Sequence, residues 1–401
     1  MARGPHDSAG ASARATLRAA LPLNDPVKKR HAEIVGAGFA GLTAACALAQ
    51  RGWSVRVHER GERLRTTGAG IYIYENGLRV LAAVGAYDAA VKGAPFAHTR
   101  EVRDDRNRVI SVHRWVGSRV FSIVRQTVIN ALAAAAARAG AEIITGSVAT
   151  GASADGKLVL ADGRRLSADL IVAADGSNSA LRDWLGLLAM RKYLVDGSTR
   201  LLIAKTAEER LSADGATTVE YWSGSRRVLY TPCSETDVYI ALTMLDSDAL
   251  AKATPVRKDA WKSWFPHLEP LIERIGSEGR YDRFDLIKLS RWSAGKVAVV
   301  GDAAHALPPN IGQGGGCAMM NALSLAVYLD READVPAALA TWERNERPVT
   351  EHAQRVSYLL GLPTTWPPAL RAMALAVAGR SKWLVRQRTK TALHRPTGTT
   401  P

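Results

Sequence analysis

A short apolar strand candidate, Ala32 to Val35, runs straight into Gly36-Ala-Gly-Phe-Ala-Gly41. An Ala- and Leu-rich helical stretch, Leu42 to Arg51, follows and closes at Gly52. A second strand, Ser54 to His58, ends on Glu59, 23 residues after Gly36. This is a βαβ unit with GxGxxG at its first turn and an acid at the end of its second strand. The glycines allow the tight turn, the approach of backbone to a pyrophosphate and close helix–strand packing, and the acid can accept hydrogen bonds from a ribose. The pattern commits the chain to a doubly wound α/β layer that holds a dinucleotide.

Two later segments repeat the logic of buried strand, acid and glycine. Asp169-Leu-Ile-Val-Ala-Ala-Asp175-Gly is the first. The second is Lys296 to Asn321, where Val297 to Val300 lead to Gly301-Asp302. Pro308-Pro309 and the glycines Gly312, Gly314, Gly315 and Gly316 follow, before an apolar helical run through Met319 and Leu325. A helix N-terminus behind a glycine-rich loop presents backbone N–H groups to an anion. Taken alone, the loop also fits a turn that only caps a helix.

Between these pieces the period changes. Residues 99–124 alternate around Asp104-Asp105-Arg106-Asn107, and Arg200–Ile203, Val219–Trp222, Arg227–Tyr230 and Val238–Leu242 are β-branched and aromatic. Both stretches read as antiparallel strands. Arg125 to Ala139 reads as a helix, and Ala141–Ile144, Lys157–Leu160 and Arg165–Ser167 as a small meander. Trp261 to Ile275 looks helical but is interrupted at Pro266 and Pro270, and residues 336–360 and 367–390 have helical spacing.

The expected organisation is a Rossmann-like α/β domain (31–98, 125–190 and 291–350), with an inserted antiparallel-sheet domain (99–124 and 191–290). A disordered extension (1–30) and a helical basic tail (351–401) flank them. The chain of 401 residues carries a net charge of +15. Residues 1–31 hold a net +4 and residues 371–401 a net +7, leaving about +4 on the body. That distribution argues against a basic nucleic-acid channel and suits small acidic ligands. Cys46, Cys233 and Cys317 show no metal spacing and suit a reducing, cytoplasmic compartment. No run of 18 apolar residues marks a membrane span. There is no GxSxG or HExxH, and the nine histidines do not cluster, so neither a hydrolytic triad nor a metal is expected.

The three motifs in this order resemble the single-component flavin aromatic hydroxylases with the para-hydroxybenzoate hydroxylase fold, over roughly residues 31–350. Within that group the chain is most similar to the pyridine-ring oxygenases of vitamin B6 breakdown, typified by 2-methyl-3-hydroxypyridine-5-carboxylate oxygenase. Carrying this are Gly38-Phe-Ala-Gly-Leu-Thr-Ala-Ala, Gly68-Ala-Gly-Ile-Tyr, Asn76-Gly-Leu-Arg-Val-Leu, Arg227-Val-Leu-Tyr-x-Pro-Cys, Phe265-Pro-x-Leu-Glu-Pro and Gly315-x-Cys-Ala-Met.

The resemblance implies FAD as cofactor, NADH or NADPH as transient co-substrate, and O2. It implies oxygenation of an acidic aromatic ring, such as a hydroxypyridine carboxylate, through a flavin C4a-hydroperoxide, with or without ring opening. A benzenoid phenolic acid, a secondary-metabolite phenol, or reductase or dehydrogenase chemistry stay open as alternatives, as does a monomer or a homo-oligomer. By the same resemblance Gly36, Gly38, Phe39, Ala40, Gly41, Glu59 and Arg60 hold the adenosine diphosphate part of FAD. Arg125, Asp175 and Asp302 contact the flavin and its ribityl chain, and Gly312, Gln313, Gly314 and Gly315 face the ring. Pro309 borders the oxygen-reactive side. Arg200, Arg227, Tyr239 and Tyr72 fall at substrate positions, with Arg227 and the two tyrosines acting on the ring. Arg100 stands where the family has a tyrosine, adding a third cation and implying a more anionic substrate.

Overall fold

The computed structural model describes residues 1, 29–64, 69–115, 118–211 and 217–400. Most of the N-terminal extension expected over 1–30 lies outside the described residues, as does Gly68.

The first layer is a six-stranded sheet. Its strand order is Ser293–Ala294, Val297–Val299, Leu170–Ala173, His31–Val35, Ser54–His58 and Glu142–Ile144. All pairings are parallel except the first, which joins the two short strands at one edge. The central strands read as unbroken apolar runs because both of their faces are buried, with Leu158 and Leu160 of the small meander in the same core. Leu170–Ala173 and Val297–Val299 are buried throughout. The helix Phe39–Ala49 is likewise buried at every position. One polar group breaks the apolar pattern: the Glu33 carboxylate accepts from His58 Nε2 at 2.7 Å and pairs with His31 Nε2 at 2.9 Å. Burial pushes Glu33 up, but these bonds outweigh it and hold the acid below its usual range.

Glu142–Ile144 was expected in the meander with 157–160 and 165–167. It pairs instead parallel to Ser54–His58, because the helix Arg125–Arg138 serves as a crossover that returns the chain to the sheet. The meander takes its first strand from Ala149–Ser153, whose small residues (Ala-Thr-Gly-Ala-Ser) carry no apolar alternation to reveal it.

The second layer is a seven-stranded sheet. Its order is Arg280–Leu289, Leu188–Ala204, Asp237–Leu245, Arg226–Pro232, Thr217–Ser223, Thr99–Asp104 and Val109–Arg114. The expected hairpin forms from 99–104 and 109–114 and joins the sheet through a parallel pairing with 217–222. Val120–Val124 leaves this sheet and pairs with Gly70–Tyr74, a two-stranded ribbon between the layers. The helix begun at Lys258 closes at Lys262 and Pro266 opens a 3-10 turn, whereas Pro270 sits in the first turn of Glu269–Glu273, where a missing N–H costs nothing.

The 27-residue helix Val335–Gly361 is amphipathic and continues past Pro348. It clamps the loop after Val297–Val299: Gln354 Nε2 donates to Ile287 O (2.7 Å) and Ala306 O (3.1 Å), and Ser357 Oγ donates to Pro308 O. The basic tail forms two helices, Pro368–Arg380 and Lys382–Thr389, separated at Ser381. The first lies on the hairpin, with Gly379 against Ser111. The second reaches the long helix, where His352 Nε2 donates to Gln387 O (3.0 Å).

His305 is buried behind the same loop, with Nε2 3.0 Å from Asn321 Nδ2 and its ring 5.3 Å from that of Trp292. Burial lowers its pKa from 6.5 to about 4. The folded chain therefore refuses a proton that the unfolded chain accepts once pH falls below about 6.5. Stability should be unaffected by this group at pH 7 and should decline progressively between pH 6.5 and 4, by roughly 3 kcal/mol for this site. Denaturant melts of wild type and His305→Asn over that range check this; the variant should lose part of the acid slope.

Candidate active site

The parallel sheet brings three distant turns together. His31–Val35 lies between Ser54–His58 and Leu170–Ala173, and the latter pairs with Val297–Val299. Gly36, Asp175 and Asp302 consequently share one edge, the carboxyl ends of neighbouring strands where an open α/β sheet binds ligands. A Cβ on Gly41 would come 1.8 Å from the Gly36 carbonyl oxygen, so this turn closes only with glycine. Gly38 and Gly314, by contrast, face open space. Glu59 accepts from Ala37 N and Gly61 N, both at 2.9 Å, which fixes its carboxylate over the turn. Arg60 is exposed beside it.

These residues fit a dinucleotide whose second half carries a polar ring system. The Asp175 Oδ1 atom is buried with no partner among the described residues, while Oδ2 accepts from Leu181 N at 3.4 Å. Burial pushes Asp175 up, against the hydrogen bond from Ser179. Asp302 is exposed between buried neighbours. Gln313 is buried, its Oε1 accepting from Asn76 Nδ2 (2.9 Å) and its Nε2 unpartnered. The helix Gly314–Arg331 starts there with no side-chain cap, leaving its first N–H groups available. Phe39 and Gly315 pack together beneath this start, Arg125 lies over the Phe39 ring at 4.9 Å, and Ala40 is buried against Gly301. Gly312 adopts a left-handed φ of +64°, and a Cβ there would press on the Tyr74 ring at 3.1 Å.

A cavity opens on this edge and runs into the seven-stranded sheet. Tyr72, Arg100, Arg200, Arg227, Tyr239, Pro309 and Gly312 all line it. The sequence-derived candidates on the sheet and on the glycine loop therefore meet at one place.

The electrostatics differ from the expected strongly cationic pocket. Arg100 Nη2 is bonded to Glu220. Arg227 pairs with Asp196 at 2.9 Å and approaches Glu220 at 3.6 Å. Arg200 Nη1 lies 3.3 Å from Asp282. Each candidate cation thus has a carboxylate beside it, because two or three bare guanidiniums in a half-buried wall would repel one another and lose hydration. Burial raises Asp196 even with Arg227 next to it. The Tyr72 hydroxyl donates to Thr218 Oγ1 (3.3 Å) and touches Thr231 Oγ1. Burial raises Tyr72 and Tyr239, so both stay protonated at neutral pH.

Sequence reasoning missed several lining residues. Trp115, Trp222 and Phe284 supply aromatic walls, and Leu360, Leu375, Ala378, Arg388 and Ala392 come from the C-terminal helices and the segment after them. Arg227 and Arg371 lie over the Trp222 ring at 4.7 and 5.2 Å. Asn310 joins the two halves: its Oδ1 accepts from Arg227 (3.4 Å) and its Nδ2 donates to Ser357 O (2.9 Å). Arg388 makes no ion pair among the described residues. Burial and the charge of Arg100 lower it to about 10, so it remains a cation at pH 7. Nothing local in the sequence marks Arg388. No group of metal-ligating side chains occurs among the described residues.

Comparison with known proteins agrees with this geometry. The family described as "FAD binding domain" matches residues 30–357. A putative 2-heptyl-3-hydroxy-4(1H)-quinolone synthase of Rhodococcus erythropolis is 43% identical over 373 residues, covering 92% of this chain and 98% of that protein. A 2-heptyl-3-hydroxy-4(1H)-quinolone synthase of Mycobacteroides abscessus is 43% identical over 357 residues, covering 88% and 95%. Among solved structures, the tetrameric form of 2-methyl-3-hydroxypyridine-5-carboxylic acid oxygenase superposes with a TM-score of 0.84 at 36% identity, covering 93% of this chain and 98% of that one. With its dinucleotide turn, its three converging strand ends and these relatives, the chain belongs to the FAD-binding-domain family and is an FAD-dependent monooxygenase of the aromatic hydroxylase type.

Proposed function

We propose that the enzyme oxygenates a hydroxylated or oxo-substituted N-heteroaromatic ring bearing an apolar substituent, with a quinolone as the best-fitting class. The observation that carries this is the cavity wall itself. Its charges are mostly paired, its surface is aromatic and aliphatic, and Trp222 Nε1, Arg227 Nε and Arg388 Nη2 are buried donors without acceptors. A ring with one or two oxygen acceptors and an aliphatic arm answers both features. The quinolone names of the bacterial relatives support the same class. A hydroxypyridine carboxylate is the second reading, favoured by the lone cation Arg388 and by the structural likeness to the pyridine oxygenase.

In this reading Gly36, Gly38, Phe39, Ala40 and Gly41 cradle the FAD pyrophosphate, Glu59 and Arg60 flank the ribose, and Asp175 and Asp302 hold the ribityl side. Arg125 and the loop Gly312, Gln313, Gly314 and Gly315 border the ring. When bound, FAD reduced by NADH or NADPH would supply the activation of O2, one oxygen atom going to the substrate and the other leaving as water. The chain does the rest. The uncapped N-terminus of Gly314–Arg331 favours negative charge beside it. Tyr239 and the free Arg227 N–H hold the ring oxygen of the substrate in an electron-rich form next to Pro309, with Tyr72, bonded to Thr218, lining the wall beside them. Trp115, Trp222 and Phe284 keep water from the reacting face. The three cysteines are buried free thiols, pushed up to about 11 or 12, with no part in the chemistry. Their reduced state suits a cytoplasmic enzyme.

Substrate-dependent NAD(P)H oxidation and O2 uptake, with product mass, test the class. A 2-alkyl-4-quinolone should stimulate both and gain one oxygen atom. Stimulation only by hydroxypyridine carboxylates would establish the second reading, and stimulation only by hydroxybenzoates would defeat both. Gly41→Ala should yield colourless protein that fails to retain FAD, read from the flavin absorbance. Arg388→Ala should keep its flavin yet raise KM about 10- to 100-fold, the cost of one charged hydrogen bond, with partial recovery in Arg388→Lys.

A further inference from the structure

The helix Pro368–Arg380 has two apolar faces. Leu375, Ala378 and Gly379 line the substrate cavity. Leu370, Met373 and Val377, spaced i, i+3, i+7, form a stripe on the opposite side and are 51%, 60% and 54% exposed. Trp366 just before the helix, Leu362 in the preceding 3-10 turn and Leu359 near the end of the long helix are exposed as well, at 43%, 41% and 52%. A helix needs one apolar side to pack, and this one has that side filled by the cavity wall. The outer stripe is therefore surplus to folding.

The charge of the C-terminal segment is one-sided. Downstream of Glu351 the chain contains no Asp or Glu, while residues 371–401 carry seven Lys and Arg. Arg380, Lys382, Arg386 and Lys390 are exposed, and Trp383 stands 66% exposed among them. We infer that this face, the Leu370–Met373–Val377 stripe with its basic border, docks on the surface of a bilayer rich in anionic headgroups. The apolar residues would enter the headgroup boundary and the cations would meet the lipid phosphates. A two-fold contact between copies is disfavoured, since it would set Lys382, Arg386 and Lys390 of one copy against the same residues of the other. No helix among the described residues is long and apolar enough to cross a membrane, so the contact is interfacial, contrary to the expectation of no membrane partner. It would place the inner face of the same helix, and the substrate cavity behind it, next to the phase where an alkylated ring accumulates. That last consequence rests on the quinolone reading; the docking itself does not.

The test is sedimentation of the FAD-loaded enzyme with phosphatidylcholine vesicles, with and without phosphatidylglycerol. The enzyme should sediment with the phosphatidylglycerol vesicles only, and added salt should release it. Leu370→Glu/Met373→Glu should abolish sedimentation while flavin content and turnover of a water-soluble substrate stay at the wild-type level. Lys382→Gln/Arg386→Gln/Lys390→Gln should weaken it on the order of a hundredfold, at roughly fivefold per charge near the surface. No sedimentation of wild type, or equal sedimentation of either variant, overturns the inference. So does an oligomer, seen without vesicles by equilibrium ultracentrifugation, that Leu370→Glu/Met373→Glu dissolves, since the stripe would then be a subunit interface. Vesicle binding is read without substrate, so its failure and a failure of the oxygenation reading are separate results.

Discussion

Three parallel strands from distant parts of the chain must end side by side before anything else in this enzyme can work. The contact that enforces it is the passage of Gly41 beneath the Gly36 carbonyl, with the strand Leu170–Ala173 on the far side. One methyl group at that crossing would separate the helix from the sheet. Once it is closed, the carboxyl edges of the strands converge and the long helix Val335–Gly361 can hold the loop from Ala306 to Asn310 in place. That loop then carries the side chain that reaches the seven-stranded sheet, Asn310 to Arg227. The glycine-loop edge and the sheet wall of the cavity are thus linked through one amide.

The arginines of the cavity show how a polar wall can be built without a bare charge. Arg100, Glu220, Arg227 and Asp196 form a chain of alternating sign across the sheet. Such a chain adds little to stability, since desolvation offsets most of the attraction. Its effect is on shape: each guanidinium plane is held at a fixed angle, and Arg227 can present its remaining N–H while lying on Trp222. The neutralised wall also tolerates aliphatic surface beside it, which a cluster of unpaired cations would not.

How much of this was legible in the sequence follows from the range of each interaction. The glycine turns, Glu59, Asp175 and Asp302 were readable because their requirements are local: a backbone angle, a strand end, a helix start. The strands of the large sheet were readable from their period of two. Pairing partners were not. Nothing near Arg227 announces Asp196, and nothing near Arg100 announces Glu220, which lies 120 residues away. The same holds for Glu142–Ile144, whose three residues cannot reveal which sheet they join. Arg388 was invisible for a further reason: in a tail rich in basic residues, one buried guanidinium looks like its exposed neighbours.

The family match ends at residue 357, yet Leu375, Ala378, Arg388 and Ala392 close the cavity from beyond that point. The residues proposed to hold FAD and this wall of the cavity therefore lie in consecutive stretches of the chain. Recombination near the codon for Gly361 would exchange that wall and keep every residue proposed to hold FAD. Such a layout gives selection a short cassette in which to explore new ring substituents, with the oxygen chemistry held constant.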